Sequence, residues 1–324
     1  MPKRYVLSLF LLGCTCAIVA QQVPQYSLVQ LNRFAYNPTY AGLDNSLSIT
    51  GVYRKQWVDI PGSPSTYNVT AHLPLYFTNG GLGFQLESET LGVNDVTFIG
   101  GAYTQYLELS RRAVLSIGVG AGYYQRTIDG SRLRTQTGLY GPEFPGIDHR
   151  DPILPITRVQ GGAPTFRAGV YLQTENLQIG LSSIHLAEQA VEFDQFTFQL
   201  GRHYLLTATY GLDLTRRVRL EPTAVLKSTG DVHQAELSVL ARYNENVFGG
   251  LGYRGYNAQS QDAVVFLLGF KLGQQLHFGY AYDLSMGAVQ TVSNGSHEIV
   301  INYNFGRPIG QGRPPKVIYN PRNL

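Results

Sequence analysis

Residues 264–284 read VVFLLGFKLGQQLHFGYAYDL, and their alternation gives the clearest indication of the fold. On both sides of Gly273, large apolar side chains recur at every second position. Small or polar residues lie between them nearest the glycine, namely Gly269 and Lys271 before it and His277, Gly279 and Asp283 after it. A period of two residues indicates a β-strand whose two faces meet different surroundings. The apolar face carries Val264, Phe266, Leu268, Phe270 and Leu272 before the glycine, and Leu276, Phe278, Tyr280, Tyr282 and Leu284 after it. A hydrocarbon face this continuous is typical of a hairpin in a membrane β-barrel, with lipid on one side and the lumen on the other.

The same alternation continues along the chain away from this hairpin. Residues 203–215 and 299–305 have equally clear faces, whereas 95–109 is ambiguous because both of its faces are apolar. We predict an all-β fold, an outer-membrane β-barrel of 14 antiparallel strands with a polar lumen. The predicted strands lie near 47–54, 65–73, 80–87, 95–109, 113–127, 164–173, 176–183, 202–215, 217–227, 234–243, 246–254, 262–272, 274–285 and 296–305.

The connections between these strands alternate between short and longer, as expected for short turns at the periplasmic rim and long loops outside. Short joints are predicted around 77–79, 110–112, 174–176, 215–216, 244–245 and 273. Longer connections are predicted at 55–64, 88–94, 128–163, 184–201, 228–233, 255–261 and 286–295. An even strand number then places both ends of the barrel at the periplasmic rim.

The first 20 residues have the pattern of a secretory signal peptide. Lys3 and Arg4 precede an apolar run from Tyr5 to Val19, and Ala20 is a suitable cleavage residue. A membrane anchor is one alternative, although the run is shorter than the ~20 residues that a spanning helix needs. A lipoprotein site at Cys14 is another, although the residues that follow it are still apolar.

Cleavage of this signal peptide would limit the kinds of site that the mature chain can form. Both cysteines, Cys14 and Cys16, would be lost, which excludes disulfides, thiolate metal sites and cysteine catalysis. Lys3 and Arg4 would also be lost, leaving 23 basic against 22 acidic residues, so nucleic acid is not an expected partner.

Hydropathy and composition agree with strands rather than helices. No run of 18 apolar residues follows residue 20, so helical membrane spans are not expected. Charged residues make up only 15% of the chain, which contains 36 Gly and 22 Tyr. This mixture suits short alternating strands with aromatic girdles.

Two segments outside the strands stand out. The longest connection, 128–163, contains four prolines and is the first candidate for contact with a partner, with an inert surface loop as the alternative. Residues 306–324 combine prolines with basic residues and are predicted to form an extended periplasmic tail, with an ordinary linker as the alternative. The expected organisation is a signal peptide at 1–20, a periplasmic or plug segment at 21–46, a barrel at 47–305 and the tail.

Patterns that would indicate an enzyme or a bound cofactor are weak. Gly118–Gly122 has alternating glycines but no strand-to-helix transition, so the glycines are expected to make room in the lumen rather than bind phosphate. The seven histidines lack metal-site spacing. His149 with Asp148 and Asp151 could imitate a hydrolase site, but no nucleophile accompanies them. We therefore expect no catalytic residues, no metal and no cofactor.

Charged residues at predicted lumen positions are more informative. A charge at the lipid midplane would cost about 2–4 kcal/mol, so these side chains are expected to point inward. They would line a polar channel or a cradle for a polypeptide, or alternatively form a cross-strand salt-bridge network that closes the lumen. They are Arg54, Arg126, Arg167, Arg219, Glu221, Lys227, Glu236, Arg242, Arg254, Lys271, Asp283 and Glu298.

Several short motifs resemble, in order, those of one protein family. At the start these are Tyr36-Asn37-Pro38-Thr39-Tyr40-Ala41-Gly42, Tyr53-Arg54-Lys55-Gln56-Trp57 and Pro61-Gly62-Ser63-Pro64-Ser65-Thr66. Near the end they are Tyr280-Ala281-Tyr282-Asp283-Leu284-Ser285 and Gly295-Ser296-His297-Glu298-Ile299. Together they resemble the PorP/SprF family of type IX secretion outer-membrane proteins. Two features depart from the family: Thr39, where Ala is common, and the long tail.

The resemblance implies a non-enzymatic barrel in the outer membrane. Its partners would be outer-membrane lipid, type IX secretion components and a large secreted adhesin with a type IX C-terminal domain, including adhesins for gliding motility. The motif residues would have structural duties: a turn at Asn37-Pro38, Trp57 near the outer interface and Arg54 paired in the lumen. The alternatives are a passive pore or uptake channel for small molecules, and a barrel hydrolase.

Overall fold

A closed antiparallel β-barrel makes up most of the computed structural model, which describes residues 23–143, 146–230, 232–255 and 261–306. The predicted signal peptide and nearly all of the predicted tail lie outside these residues. In chain order the barrel strands are β1 (Ser48–Lys55), β2 (Ser65–Leu75), β3 (Gly80–Leu91), β4 (Asn94–Ser110), β5 (Ala113–Asp129), β6 (Arg158–Thr174), β7 (Leu177–Ile184), β10 (His203–Tyr210), β11 (Leu212–Asp213), β12 (Val218–Thr229), β13 (Val232–Tyr243), β14 (Val247–Gly255), β15 (Gln261–Leu272), β16 (Leu276–Ser285) and β17 (Ser296–Asn304). Two short strands outside the barrel, β8 (Ala190–Glu192) and β9 (Thr197–Gln199), form a separate hairpin.

Each barrel strand pairs with its neighbour in sequence, and β1 pairs with β17 to close the ring. Because β10 and β11 both pair with β12 and are separated only at Gly211, they act as one strand. The barrel therefore has 14 strands, which confirms the predicted fold and strand number. Closure leaves no exposed edge, as a structure that spans lipid requires.

The strand faces follow the predicted alternation. Leu268 is 59% exposed on the outer wall, whereas its neighbour Leu267 is fully buried. In β4, whose sequence was ambiguous, Phe98 and Thr104 face inward and Ile99 faces outward. The register to β3 and β5 sets this orientation, because either face was apolar enough to meet lipid.

Two of the predicted long connections are wrong. Between β3 and β4 only Gly92 and Val93 remain, and between β12 and β13 only residues 230 and 231. The strands continue pairing beyond the predicted ends, and Gly92 (φ +62°) and Gly230 (φ +55°) permit tight turns. Similarly, β6 begins at Arg158 because it pairs with β5 as far as Asp129, so the longest connection is 130–157.

The remaining connections define two rims. We call the rim with 76–79, 111–112, 175–176, 214–217, 244–246 and 273–275 the short-turn rim. The opposite rim, with 56–64, 130–157, 185–202 and 286–295, is the long-loop rim. Both ends of the barrel, Ser48 and Asn304, lie at the short-turn rim. No helix in the described parts of the chain is long and apolar enough to cross a membrane.

The two longest connections are folded. In 130–157, buried His149 has its Nε2 within 3.0–3.1 Å of the backbone oxygens of Pro155 and Gly130, and its Nδ1 2.9 Å from Tyr140 Oη. In 185–202, Val191, Phe193 and Leu200 pack with Ile128 and Ala163 into a small apolar cluster. This cluster holds the β8–β9 hairpin over the β5–β6 side of the barrel.

Candidate functional site: the plugged lumen

Residues 23–46 occupy the barrel lumen, and we call them the plug segment. They contain two 3-10 turns, Val29–Leu31 and Pro38–Tyr40, and one short helix, Arg33–Tyr36. Most of their side chains are buried, although many are polar. Since no strand or long helix runs through the segment, contacts with the barrel wall hold it in place.

The path of the plug segment through the lumen is set by contacts at its two ends. Lys227 Nζ, near the long-loop rim, lies 2.6 Å from Gln25 Oε1. At the other end, Phe305 N donates to Leu47 O at the short-turn rim. The plug segment therefore starts in the long-loop half of the lumen and descends to the short-turn rim, where β1 begins.

A buried ion network fixes the upper part of the plug segment. Arg54 donates from Nη2 to Asp283 Oδ2 (2.6 Å) and from Nη1 to Glu298 Oε2 (3.0 Å). Arg254 donates to the same Asp283 oxygen (2.7 Å) and to Glu236 (2.7 Å). All five side chains are at least nine-tenths buried. Two arginines and three carboxylates on five strands thus form one connected cluster.

Ser27 joins the plug segment to this cluster. Its backbone N–H donates to Glu298 Oε2 (2.7 Å), and its hydroxyl donates to Asp283 (2.8 Å) while accepting from Arg54 (3.0 Å) and Arg254 (2.8 Å). The N–H of Leu28 donates to the other Glu298 oxygen (2.9 Å). We call Ser27, Leu28 and the five charged wall residues the ionic latch. Because its charges are buried, removing one partner would leave others uncompensated, which is strongly unfavourable.

The middle of the plug segment contacts the opposite wall. Asn37 accepts from Thr39 N (3.0 Å), which caps the turn at Pro38, and donates to Val170 O (3.0 Å) in β6. Ser182 donates to Tyr36 O (2.6 Å). A Cβ added at Gly118 would lie 3.0 Å from Thr39, so this glycine makes room for the plug segment.

The lower end is fixed by Gly42 and Asp44. Gly42 N donates to His72 Nδ1 (3.1 Å), and Asp44 accepts from Tyr40 Oη (2.7 Å) while facing His72 Nε2 at 3.5 Å. Gly42 has φ +77°, and a Cβ there would lie 2.8 Å from Leu73 O. Only glycine fits this position without strain.

Burial in the lumen shifts the pKa of several plug groups. Desolvation, aided by nearby carboxylates, raises the pKa of Tyr26, Tyr36 and Tyr40 well above the usual value. Burial would raise the pKa of Asp44, but His72, the Tyr40 hydroxyl and Arg33 together lower it. At neutral pH the plug segment therefore holds neutral phenols and an ionised Asp44.

The remaining predicted lumen charges also face inward but take different partners. Glu221 pairs with Arg242 (2.8 Å), and Arg219 pairs with Asp213 (3.1 Å). Arg126 and Arg167 stack over Phe198 and Phe98, at 4.0 and 4.4 Å from the ring centroids. Lys271 lines the lower lumen. The charged residue types in the strands predicted that these positions face the lumen. The strand pattern did not predict the contacts that the plug segment makes with the wall.

The other motif residues lie at both rims. Tyr53 packs against Tyr67 on the outer wall, with the two rings tilted. Trp57, Gln56 and Pro64 border the lumen at the long-loop rim. Thr66 donates to Glu89 (3.1 Å). On the closing hairpin, Tyr282 Oη donates to Asn294 O (3.2 Å), and Tyr280 Oη lies 2.7 Å from His297 Nδ1.

Two cavities remain around the plug segment. The lower one, of about 130 Å³, opens near Asp44, His72 and Arg242. The upper one, of about 640 Å³, is bounded below by Val23–Tyr26 and Tyr36 and is reached from the long-loop rim. We call it the upper cavity. The plug segment therefore separates two spaces instead of leaving one channel.

The histidines and acidic residues that the structure describes do not gather into a metal centre. No group of three or more potential metal ligands occurs among them. His149, the residue that could imitate a hydrolase site, is occupied by Tyr140 and two backbone oxygens.

Solved barrels with low sequence identity resemble the overall form. The Ralstonia pickettii toluene transporter TbuX has 11% identity and a TM-score of 0.47, covering 83% of this chain and 92% of TbuX. The outer membrane protein Omp33 of Acinetobacter baumannii has 6% identity and a TM-score of 0.43, covering 81% and 98%. A Pseudomonas aeruginosa FadL homologue has 11% identity and a TM-score of 0.41, covering 80% and 89%. At these values the likeness says nothing about what this chain carries.

A match to a family model identifies the chain more specifically than its likeness to solved barrels. Among curated proteins, none matches the chain significantly. The model for the type IX secretion system membrane protein PorP/SprF matches residues 18–303, which include the plug segment and nearly the whole barrel. The family and the closed barrel together indicate the outer membrane. The chain belongs to the PorP/SprF family of type IX secretion system membrane proteins.

Proposed function

We propose that this barrel supports the secretion or surface attachment of large adhesins, including gliding adhesins, as an outer-membrane component of the type IX secretion system. Family membership supports the secretion role. The observation that carries the proposal is the plug segment, which blocks the lumen and is bonded through Ser27 and Leu28 to four buried charged side chains of the ionic latch. A barrel blocked in this way is better suited to holding a protein than to passing solutes.

In this proposal the long-loop rim faces the exterior, as in other outer-membrane barrels. The secreted adhesin contacts this rim through its type IX C-terminal domain. The connection 130–157, the β8–β9 hairpin and the upper cavity are the available surfaces. The short-turn rim and the basic tail at 306–324 face the periplasm, where they meet other secretion components.

No enzymatic step is part of the proposal. The buried charges of the ionic latch form ion pairs with one another and hydrogen bonds with the plug segment. His149 is hydrogen-bonded within its own loop. We therefore expect no substitution of a single carboxylate or histidine to abolish a turnover reaction.

The test is a deletion of the gene followed by comparison of surface proteins in the mutant and its parent. We expect at least one large adhesin with a type IX C-terminal domain to be lost from the surface, and to return when the intact gene is restored. If every such adhesin still reaches the surface, the proposed function is wrong.

The passive pore is the alternative function. It predicts stable conductance of the intact protein in planar bilayers, whereas the plugged barrel is expected to be silent. Steady conductance of the intact protein would favour the pore.

A further inference from the structure

The upper cavity has the size and enclosure of a binding site. Its volume of about 640 Å³ lies in the range of sites that enclose small ligands or short peptide segments, roughly 300–1,000 Å³. The plug segment closes it below, so a group entering from the long-loop rim meets a floor formed by Tyr26 and Tyr36. It is therefore a blind cavity and not part of a path through the barrel.

Two carboxylates lie side by side on one wall of the cavity. Glu87 and Glu89 lie on the same face of β3 and are only partly exposed. Glu87 accepts from Tyr26, Asn68 and Gln85, and Glu89 accepts from Thr66. Neither forms an ion pair with any residue that the structure describes. Adjacent, partly buried carboxylates favour a cation beside them.

The cationic residues on the nearby strands β5 and β6 have other contacts. Arg126 lies over Phe198 and donates to Asn94, and Arg167 lies over Phe98 and donates to Gln85 (2.6 Å). The Nε of Arg167, a residue only 7% exposed, has no hydrogen-bond partner. Because this nitrogen atom is itself buried, it is not available to a group that enters the cavity.

Aromatic rings complete the cavity. Trp57 borders its mouth at the long-loop rim and Tyr124 lines its side. Aromatic faces beside carboxylates attract ammonium and guanidinium groups. A metal ion is a poorer fit, since no three potential metal ligands come together in the described parts of the chain.

We propose that the upper cavity binds a polypeptide segment through a basic side chain, which Glu87 and Glu89 receive. The assignment of this segment to the secreted adhesin rests on the proposed function. The chemistry of recognition rests only on the cavity.

Trp57 provides a direct measurement, because it is the only tryptophan in the chain and borders the cavity. The full-length protein in detergent is titrated with capped pentapeptides of sequence Gly-Ala-Xaa-Ala-Gly, where Xaa is Lys, Arg, Gln or Glu. We expect Lys and Arg peptides to change the Trp57 emission saturably, and Gln and Glu peptides to bind roughly tenfold or more weakly, as expected for loss of a charge-assisted hydrogen bond.

The matched variants are Glu89→Gln, in the cavity, and Glu175→Gln, in an exposed turn of the short-turn rim. Glu89→Gln should weaken the Lys peptide roughly tenfold, and Glu175→Gln should leave it unchanged. If Glu89→Gln fails to fold, the affinities of the unchanged protein for the Lys and Gln peptides are compared instead, because the Gln peptide removes the same charge pair from the ligand side. No saturable change, or equal binding of Lys and Gln peptides, overturns the proposal.

The two proposals fail separately. If peptides do not bind but the gene deletion removes an adhesin, only the cavity assignment is wrong. If peptides bind but every adhesin still reaches the surface, the cavity chemistry stands and the proposed function is wrong.

Discussion

Arg54 is the residue on which the ionic latch depends most directly. It contacts Asp283, Glu298 and Ser27, and its side chain is 1% exposed. Replacing it would leave the carboxylates to repel each other in a buried site.

We predict that Arg54→Met lowers the free energy of unfolding by about 3–5 kcal/mol, the usual cost of removing one partner from a buried ion pair. Urea unfolding in detergent, followed by Trp57 fluorescence, measures the change. Arg112→Met is the control, because the Arg112 side chain is 77% exposed and its ion pair with Glu175 is at the surface. Equal effects of the two substitutions would show that the latch contributes little.

Gly42 is the residue where backbone geometry is most restrictive. We predict that Gly42→Ala loosens the lower end of the plug segment, since φ +77° and the contact with Leu73 O both disfavour a Cβ. Limited proteolysis of residues 23–46 should become faster. Gly51→Ala, at a strand position with open space around it, should leave the rate unchanged; faster cleavage there would mean that any glycine substitution disturbs the barrel.

His185, next to the β8–β9 hairpin, is expected to make that region sensitive to acid. Burial, together with His203 and Arg167, lowers its pKa to about 3, whereas the unfolded chain takes up the proton near pH 6.5. A base with a lowered folded pKa contributes its stability above pH 6.5 and loses it as the pH falls toward 3.

We therefore predict that hydrogen exchange in 190–199 accelerates between pH 6.5 and 4 more in the parent than in His185→Asn. Asn suits the positive φ of this residue (+55°) and does not titrate. The same pH profile in both proteins would exclude His185 as the cause.

At the scale of elements, the plug segment is expected to be separable from the barrel wall. The 14 strands close by backbone pairing of β1 with β17, and no plug residue takes part in that ladder. The segment should therefore control passage through the lumen without being required for closure of the ring.

We predict that deletion of residues 25–44 gives a barrel that still inserts into bilayers and conducts steadily, whereas the intact protein is silent. Single-channel recording measures both. The control is Arg112→Met, which leaves the lumen intact and should be silent. A silent deletion variant that is folded would mean that the wall charges alone close the lumen.

At the scale of the whole molecule, the path of the plug segment predicts which side of the membrane its start faces. Val23 borders the upper cavity, on the side of the long-loop rim, although β1 begins at the opposite rim. A segment anchored at the periplasmic side would thus present its beginning toward the exterior.

We predict that Val23→Cys, in a Cys14→Ser, Cys16→Ser background, is labelled on intact cells by a small membrane-impermeant maleimide. Glu175→Cys, in a short turn, should be labelled only after the outer membrane is permeabilised. The reverse pattern would show that the barrel is oriented the other way.

The sequence by itself determined the barrel: strand number, wall faces and most turn positions. Alternation is a local property, because successive side chains of a strand point to opposite faces. A short run of neighbouring residues is therefore enough to predict which side chains face lipid and which face the lumen. The predicted strand near 202–215 corresponds to β10 and β11, which end at Asp213, and the break at Gly211 was not predicted. A Cβ at Gly211 would meet the Arg219 side chain of the next strand, a contact that the local sequence does not reveal. The two tight hairpins at the long-loop rim were missed because polar strand ends resemble loops.

Only the tertiary structure decided how the lumen is filled. Residues 23–46 have no regular period, and their partners lie far along the chain, as with Ser27 and Asp283 or Glu298. Charged residues at lumen positions predicted inward side chains but not the ionic latch, because a pairing depends on which strands the closed ring brings opposite one another. The upper cavity has the same origin: Glu87, Arg167 and Trp57 meet only when the barrel closes around the plug segment.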